Sequence, residues 1–191
     1  MATVRDGNKP ALVVVDVQVG VMNEAWDAAC VIGNVARVVE RARTEAVPVI
    51  WVQHANHELP TGSPQWQWVP ELVPADGEAR IHKQFNSSFE ETSLESELAR
   101  LGVSHIVLAG AASNWCIRAT AYGALDRGYD LTLVEDAHST GSMQLDGGVT
   151  IAAENVIREL NVAMKWLEYP DRKNGTARAN DVDFAVPGGT R

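Results

Sequence analysis

A single cysteine stands where the sequence changes from a strand pattern to a helical pattern. Cys116 follows the apolar run 107–112, at the start of a helical pattern that extends from 115 to about 127. The unpaired N–H groups and the positive dipole end at the start of a helix favour thiolate over thiol and leave donors for an oxyanion. The position therefore suits a cysteine nucleophile. The alternative is that Cys116 is one more small, buried apolar residue.

Two further residues that can carry chemistry lie in other parts of the chain. Asp16 directly follows the apolar run 11–15, where an unpaired carboxylate is costly, and Lys83 follows a segment that can form a short strand. Taken alone, Asp16 has the simpler interpretation of a helix or turn cap, and Lys83 that of a solvated cation. A carboxylate, a cation and a candidate nucleophile in one chain are less easily explained by chance.

Strand patterns and helical patterns alternate along almost the whole chain. Continuous apolar runs are typical of strands that are covered on both faces. The alternation predicts an α/β fold, a three-layer, Rossmann-like, mostly parallel open sheet with right-handed crossovers and helices on both faces. The predicted strands are 11–16, 47–52, 104–109, 130–134 and 162–166, and the predicted helices are 31–43, 92–100, 115–127 and 148–160.

Asp16 and Cys116 both fall at the carboxyl ends of predicted strands. Ligands of open parallel sheets bind outside these ends, where the strand order reverses. We therefore expect the two side chains to meet in one crevice although they are far apart in the sequence. The segment from about 54 to 89 is too long for an ordinary connection, and we expect it to cover the site.

Composition limits the classes of protein to which the chain can belong. Its 191 residues, 46% hydrophobic and 21% charged, predict one globular domain over 1–168. An extended tail over 169–191 follows, which wraps on a neighbouring subunit or remains mobile. The net charge of -9 argues against a nucleic-acid partner, because phosphate binding needs a basic face.

The apolar segments and the cysteines point to a reducing, aqueous environment. The pattern of a signal peptide is missing, and no apolar stretch approaches the roughly 20 residues that span a bilayer. We therefore expect a cytoplasmic protein with no membrane partner. Cys30 and Cys116 are expected to be free thiols, because two cysteines without paired spacing form neither a disulfide framework nor a structural zinc site.

Asp16, Lys83 and Cys116, together with their sequence surroundings, resemble the isochorismatase-like cysteine hydrolases. The resemblance covers about 10–167, which is nearly the whole predicted domain. It is carried by 11–18 (ALVVVDVQ), by 81–83 (IHK) with 86–92 (NSSFEET), and by 110–116 (GAASNWC).

The resemblance implies a role for each member of the set. Cys116 is the implied nucleophile, Asp16 the base that takes the thiol proton and returns it to the leaving group, and Lys83 the cation that holds Asp16 and favours the thiolate. The implied oxyanion hole consists of the backbone N–H groups of Ala112 and Cys116, with a cis peptide bond at Ala111–Ala112.

These roles predict a hydrolase that cleaves a C–N bond of a small molecule, in an amide, lactam or carbamoyl group, through an acyl-enzyme. The segments 54–63 and 66–72 resemble the branch of the superfamily that includes streptothricin hydrolases. Two alternatives stay open. One is hydrolysis of an isochorismate-type vinyl ether, and the other is a catalytically idle binding or assembly module with Cys116 as a redox-sensitive thiol.

Expectations for ligands and partners complete the prediction. We expect substrate contacts from Gln18, Trp66, Trp68 and Trp115, no cofactor, and a homo-oligomer, either a dimer or a tetramer. Nicotinamidases of the superfamily carry an Asp-x-His metal motif after the second strand, where this chain has the sequence His-Ala-Asn-His at 54–57. Two histidines make a weak zinc site, so we predict no catalytic metal.

Overall fold

The computed structural model describes residues 7–185. Six of its strands form one parallel sheet in the order β3-β2-β1-β4-β5-β8, while β6 and β7 pair as a short antiparallel hairpin. The strands are β1 (Lys9–Val15), β2 (Val49–His54), β3 (Ala79–Lys83), β4 (Val103–Ala111), β5 (Asp130–Ser139), β6 (Met143–Gln144), β7 (Thr150–Ile151) and β8 (Asn174–Ala177).

Helices cover both faces of this sheet. They are α1 (Val19–Met22), α2 (Ala28–Thr44), α3 (Leu94–Leu101), α4 (Arg118–Asp126) and α5 (Ala153–Trp166), and a π-helical turn at Ser113–Ile117 precedes α4. The predicted fold class, a mostly parallel α/β sheet between two helical layers, is confirmed. None of the helices in the described range is long and apolar enough to cross a membrane.

The central strand β1 shows why its sequence is continuously apolar. Val13 packs into a core with buried residues of α3, α4 and α5, whereas Leu12 and Val14 pack into a second core with α2. All three side chains are fully buried. Successive strand residues point to opposite faces, so a strand with helices on both sides needs apolar residues at every position.

The strand order reverses at β1. The chain passes from β1 to β2 and β3 on one side, and β4 then lies on the other side of β1. The carboxyl ends of β1 and β4 therefore border a crevice. Asp16 directly follows β1, His54 and Lys83 end β2 and β3, and the π-helical turn that contains Cys116 lies beyond β4.

The predicted strand at 162–166 is wrong. These residues form the last turns of α5, and the residues from 148 to 152, which we predicted as the start of that helix, instead contain β7. The buried side chains of α5 include Val156, Leu160 and Met164, which lie four residues apart. This spacing puts them on one face of a helix, whereas the short stretch from Val162 to Trp166 also alternates like a strand.

The segment that begins at 169 is part of the domain rather than an extended tail. Its strand β8 pairs with β5 at the sheet edge, and Val182 and Phe184 are buried in the core on the α2 side. The Arg41 guanidinium of α2 donates hydrogen bonds of 2.6–3.2 Å to the carbonyl oxygens of Ala179, Asn180 and Val182. Residues 186–191 of the predicted tail lie outside the described part of the chain.

Candidate active site

Asp16, Lys83 and Cys116 meet at the carboxyl edge of the sheet. Lys83 Nζ lies 2.6 Å from Asp16 Oδ2 and 3.2 Å from Cys116 Sγ. All three residues are buried. The structure thus brings together a carboxylate, an ammonium and a thiol that are separated by up to 100 positions in the sequence.

The chain turns sharply at Asp16 to aim its carboxylate at this group. Asp16 has a φ of 52°, and its backbone N–H donates to the Val52 carbonyl oxygen at 2.8 Å. The neighbouring strand approaches very closely here, because a Cβ at Gly110 would lie 2.0 Å from the Val15 carbonyl oxygen. Only glycine fits there, and its φ of 125° is one that other residues rarely adopt.

Cys116 lies in a π-helical turn, whereas we predicted that it lies in the first turn of an α-helix. The turn spans Ser113–Ile117, and the Ala112 carbonyl oxygen accepts the N–H groups of Trp115 at 3.0 Å and Ile117 at 3.1 Å. The Ala111–Ala112 peptide bond is cis, at the position that the family resemblance implied. Wide helical turns of this kind are frequent at functional sites.

The electrostatics of Cys116 correct the expectation of a stabilised thiolate. Burial raises the pKa of the thiol to about 12, and the negative charge of Asp16 adds to this effect while Lys83 opposes it. Burial alone lowers the pKa of Lys83, but Asp16 and Cys116 outweigh it and the net shift is upward. The resting site therefore holds a neutral thiol beside a lysine ammonium.

Asp16 has acceptor capacity to spare in this buried site. Its Oδ1 atom is buried and has no hydrogen-bond partner of good geometry in the described part of the protein, and a side-chain interaction with Asp16 contributes to the raised pKa of the Cys116 thiol. Buried carboxylate oxygens normally have partners, so an oxygen without one needs a functional or structural explanation. An acceptor for a proton from the thiol or from a leaving group is one such explanation.

His54 is a fourth side chain of the site. Its Nδ1 lies 3.3 Å from Lys83 Nζ. Burial lowers the pKa of His54, Lys83 lowers it further, and Asp16 has the opposite effect. From the sequence we left open whether this histidine contacts a metal or the substrate, although it follows the predicted strand 47–52 much as Asp16 follows the run 11–15.

Asn86 is a fifth side chain of the site, and the sequence patterns did not identify it. Its Oδ1 lies 3.9 Å from Cys116 Sγ, and Asn86 is exposed. It belongs to the 86–92 segment that carried the resemblance. A carboxamide next to the sulfur offers both donors and acceptors to a bound ligand.

A buried polar chain supports the turn that holds Cys116. Ser113 Oγ lies 2.8 Å from His138 Nδ1, and His138 Nε2 lies 2.9 Å from Asn161 Oδ1. Because Oδ1 only accepts, Nε2 carries the proton and Ser113 donates to Nδ1. Burial lowers the pKa of His138 to about 4, so this histidine is neutral at pH 7.

The structure gives Gln18 a different role from the substrate contact that we predicted. Both of its amide hydrogens bind backbone carbonyl oxygens, of His54 at 3.0 Å and Trp66 at 2.8 Å, and its Oε1 accepts the His54 N–H at 2.9 Å. Gln18 is also fully buried. It therefore connects the chain just after β1 to the end of β2 and to the loop that contains Trp66.

The three tryptophans differ in what they contact. Trp68 packs edge-on against Trp51 with ring centroids 5.4 Å apart, and Trp66 stacks on His82 at 5.6 Å. Trp115, in the turn of Cys116, is 56% exposed. The observed contacts of Trp66 and Trp68 are thus with the protein, whereas Trp115 has a free face, and its contact with substrate stays a prediction.

The two histidines of 54–57 do not come together as metal ligands. His57 is exposed and lies 3.8 Å from Glu58, while His54 faces Lys83. Residues 7–185 contain no group of three or more His, Cys, Asp or Glu side chains suited to hold a metal ion. That the reaction needs no metal stays a prediction.

Comparison with known proteins identifies relatives over most of the chain. The model of the isochorismatase domain matches residues 10–156. An isochorismatase from Pseudomonas putida KT2440 is similar in structure, with a TM-score of 0.81 and 26% identity over 91% of this chain and 89% of that one.

Three curated relatives are similar over shorter segments. The secreted isochorismatase effector Isc1 of Verticillium dahliae is 32% identical over 54% of this chain and 57% of its own length. Streptothricin hydrolase of Streptomyces noursei is 31% identical over 68% and 49%, and maleamate amidohydrolase of Pseudomonas putida is 28% identical over 58% of both. The chain thus spans about half of each of these relatives.

Proposed function

The chain belongs to the isochorismatase family, and we propose that it is a cysteine-dependent hydrolase that cleaves a C–N bond of a small molecule through an acyl-enzyme. One observation carries the proposal. A single buried lysine ammonium lies within 3.2 Å of both a carboxylate and a thiol, at the carboxyl edge where open parallel sheets bind ligands.

The first half of the proposed reaction forms the acyl-enzyme. The Cys116 sulfur attacks the carbonyl carbon, and its proton passes to the Asp16 carboxylate, so a C–S bond forms while the S–H bond breaks. The carbonyl π electrons move to oxygen. When the tetrahedral intermediate collapses, the C–N bond breaks and the amine takes the proton from Asp16.

The raised pKa of Cys116 means that the resting thiol is protonated. The thiolate is the stronger nucleophile, so Asp16 has to take the thiol proton for the sulfur to attack. Lys83 holds the carboxylate in place and stabilises the negative charge as it moves between Asp16 and sulfur.

The second half regenerates the enzyme. Asp16, again a carboxylate, takes a proton from a water molecule while the oxygen of that water attacks the thioester carbon. The C–S bond then breaks, the proton returns to sulfur, and a carboxylic acid leaves. The proposed oxyanion hole, the backbone N–H groups of Ala112 and Cys116, serves both halves, and one such donor is typically worth about 3 kcal/mol.

The names of the relatives support C–N bonds as the target. One similar protein is an amidohydrolase that acts on maleamate, and another hydrolyses streptothricin. For this chain we propose an amide, lactam or carbamoyl compound. Asn86, whose Oδ1 lies 3.9 Å from the sulfur, is suited to a polar part of such a substrate, and the exposed Trp115, which precedes Cys116 in the chain, is suited to an apolar part.

The names isochorismatase domain and isochorismatase effector favour a second candidate, hydrolysis of a vinyl ether. That reaction need not use a cysteine nucleophile, so Cys116→Ala distinguishes the two candidates. The third candidate is an idle module with a redox-sensitive thiol, and the burial of Cys116 does not favour it, because redox-sensor cysteines are accessible.

Turnover across a substrate panel tests the proposal. The panel contains small amides, carbamoyl compounds, nicotinamide, lactam antibiotics including streptothricin, and isochorismate. We expect the wild type to release an amine or ammonia from at least one compound, Cys116→Ala to lose this activity, and Cys30→Ala, which changes the exposed cysteine, to retain it. Activity of Cys116→Ala at the wild-type rate would reject the cysteine mechanism, and cleavage of isochorismate alone would favour the second candidate.

A further inference from the structure

The ammonium of Lys83 has a partner for each of its three protons. Asp16 Oδ2 lies at 2.6 Å, Cys116 Sγ at 3.2 Å and His54 Nδ1 at 3.3 Å. The Lys83 side chain is fully buried, so water does not compete for these protons. Of the three partners, the carboxylate and the thiol take part in the proposed reaction, whereas the imidazole has no part in it.

Only one state of His54 fits this contact. An ammonium has three donors and no acceptor, so Nδ1 must present its lone pair to Lys83. The ring is then neutral, with its proton on Nε2. A charged ring would turn an N–H group towards an ammonium at 3.3 Å.

We infer that His54 is a positioning residue, whose neutral imidazole accepts the third proton of Lys83 and so directs the other two at Asp16 and Cys116. The inference rests on the proposed function, because it gives His54 a task only within that reaction. The three N–H bonds of an ammonium turn together about the last bond of the side chain, so an acceptor for one of them helps to fix the direction of the other two. The imidazole thus adds to the orienting effect of the carboxylate and the thiol.

Hydrogen bonds to the backbone of His54 hold its imidazole in position beside Lys83. The fully buried Gln18 accepts the His54 N–H at 2.9 Å and donates to the His54 carbonyl oxygen at 3.0 Å. Gln18 also donates to the carbonyl oxygen of Trp66, which receives a second hydrogen bond from Gln53 at 2.7 Å. A catalytic group needs supporting contacts of this kind to stay in its productive geometry.

The contact depends on pH. The charged groups that act on the ring are Lys83 from β3 and Asp16 after β1. Burial and Lys83 lower the pKa of His54, and Asp16 only partly opposes them, so the neutral ring persists at pH 7. Protonation at acid pH brings a second cation against Lys83, and the ammonium then loses the acceptor for its third proton.

Three variants separate this role from a general effect on the fold. His54→Asn places a side-chain oxygen near the position of Nδ1 and does not titrate, His54→Leu has no acceptor, and His57→Asn is the matched control at an exposed histidine. On a panel substrate we expect His54→Leu to lower kcat by about tenfold or more with KM changed little, a loss typical of a hydrogen bond to a charged group. His54→Asn should recover most of kcat and lack the acidic limb that His54 imposes on the wild type. Equal losses in the Asn and Leu variants, or an unchanged acidic limb in His54→Asn, would overturn the inference.

A second readout needs no substrate and so separates this inference from the proposed function. In protein labelled with ¹⁵N in its five histidines, the His54 signals, assigned by their loss in His54→Asn, should report a neutral ring with its proton on Nε2 at pH 7. Lys83→Met should shift the Nδ1 signal, and His57→Asn should leave it in place. A charged ring, or a proton on Nδ1, would refute the contact. If no panel compound is turned over while the expected tautomer is found, the proposed function fails and the geometry stands.

Discussion

Removing the Lys83 ammonium should strongly destabilise the fold, because it leaves a buried carboxylate without its partner. Asp16 is only 1% exposed and lies 2.6 Å from Lys83 Nζ. At this distance two opposite charges attract by roughly 6 kcal/mol for an effective dielectric constant of about 20. Desolvation offsets part of this attraction, and loss of one partner from a buried pair typically costs about 3–5 kcal/mol. We expect Lys83→Met to lower the free energy of unfolding at pH 7 by that amount.

A double-mutant cycle measures this effect. Urea unfolding at pH 7 is compared for the wild type, Lys83→Met, Asp16→Asn and the double variant, with Cys116→Ser as a control that keeps the ion pair. Replacing both members of a buried ion pair is often nearly neutral. The double variant should therefore be more stable than Lys83→Met by about 2 kcal/mol or more, and all variants that lack Asp16 or Lys83 should be inactive.

Two results would refute this reasoning. A Lys83→Met protein within about 1 kcal/mol of the wild type would mean that Asp16 is not a buried charge held by Lys83, since exposed pairs contribute about that little. A double variant less stable than Lys83→Met would mean that the two side chains do not interact as an ion pair.

Three further predictions concern the thiol, the buried histidine and the segment after α5. In a Cys30→Ser background, Cys116 should show no thiolate absorbance at pH 8.5, because burial raises the pKa of its thiol to about 12. An ordinary thiol is about half ionised at that pH. A half-formed thiolate signal would contradict the neutral resting thiol. Burial lowers the pKa of His138 to about 4, so below about pH 6.5 the unfolded chain binds a proton at this histidine that the native state does not bind. The free energy of unfolding should therefore fall by about 3 kcal/mol from this source between pH 6.5 and 4. A His138→Gln variant whose stability falls as steeply with pH as that of the wild type would exclude this contribution. Arg41→Ala should lower the free energy of unfolding in urea by about 2 kcal/mol and expose 179–185 to protease, because three carbonyl oxygens lose a charged donor. Arg37→Ala, which loses one exposed contact with Asn34, should change little. Equal effects of the two substitutions would mean that the hydrogen bonds of Arg41 do not hold this segment.

The residues at the ends of strands were predictable because their placement follows from topology. The run 11–15 is apolar at every position, which identified a central strand, and Asp16 had to emerge at its carboxyl end. The same reasoning applied to Cys116 after β4. Parallel strands align their carboxyl ends, so the meeting of the two residues needed only the strand directions.

Contacts between side chains from distant segments were not predictable in this way. Nothing in the composition of 169–185 reveals that Arg41 binds its backbone, because this largely polar sequence also suits an extended tail. Likewise the π-helical turn at Ser113–Ile117 depends on bonds to the Ala112 carbonyl oxygen, and no spacing of apolar residues distinguishes it from the start of an α-helix.

The protonation state of Cys116 was predicted with the wrong sign for a related reason. The sequence showed a local effect, the start of a helical pattern, which favours a thiolate. Burial by residues from several elements is a larger effect and acts in the opposite direction. The extent of burial at one atom is a property of the packed structure, so a sequence pattern alone does not give its size.

The central claim is that Cys116 forms a covalent acyl intermediate, and intact-protein mass spectrometry tests it most directly. Wild type and Cys116→Ala are each quenched with acid after brief incubation with the panel compounds, and any adduct is located by peptide mapping. We expect a mass increase equal to the acyl group of one substrate, located on the peptide that contains Cys116 and missing from Cys116→Ala. Substrate turnover without an adduct under any quench time, or an adduct that persists in Cys116→Ala, would contradict it.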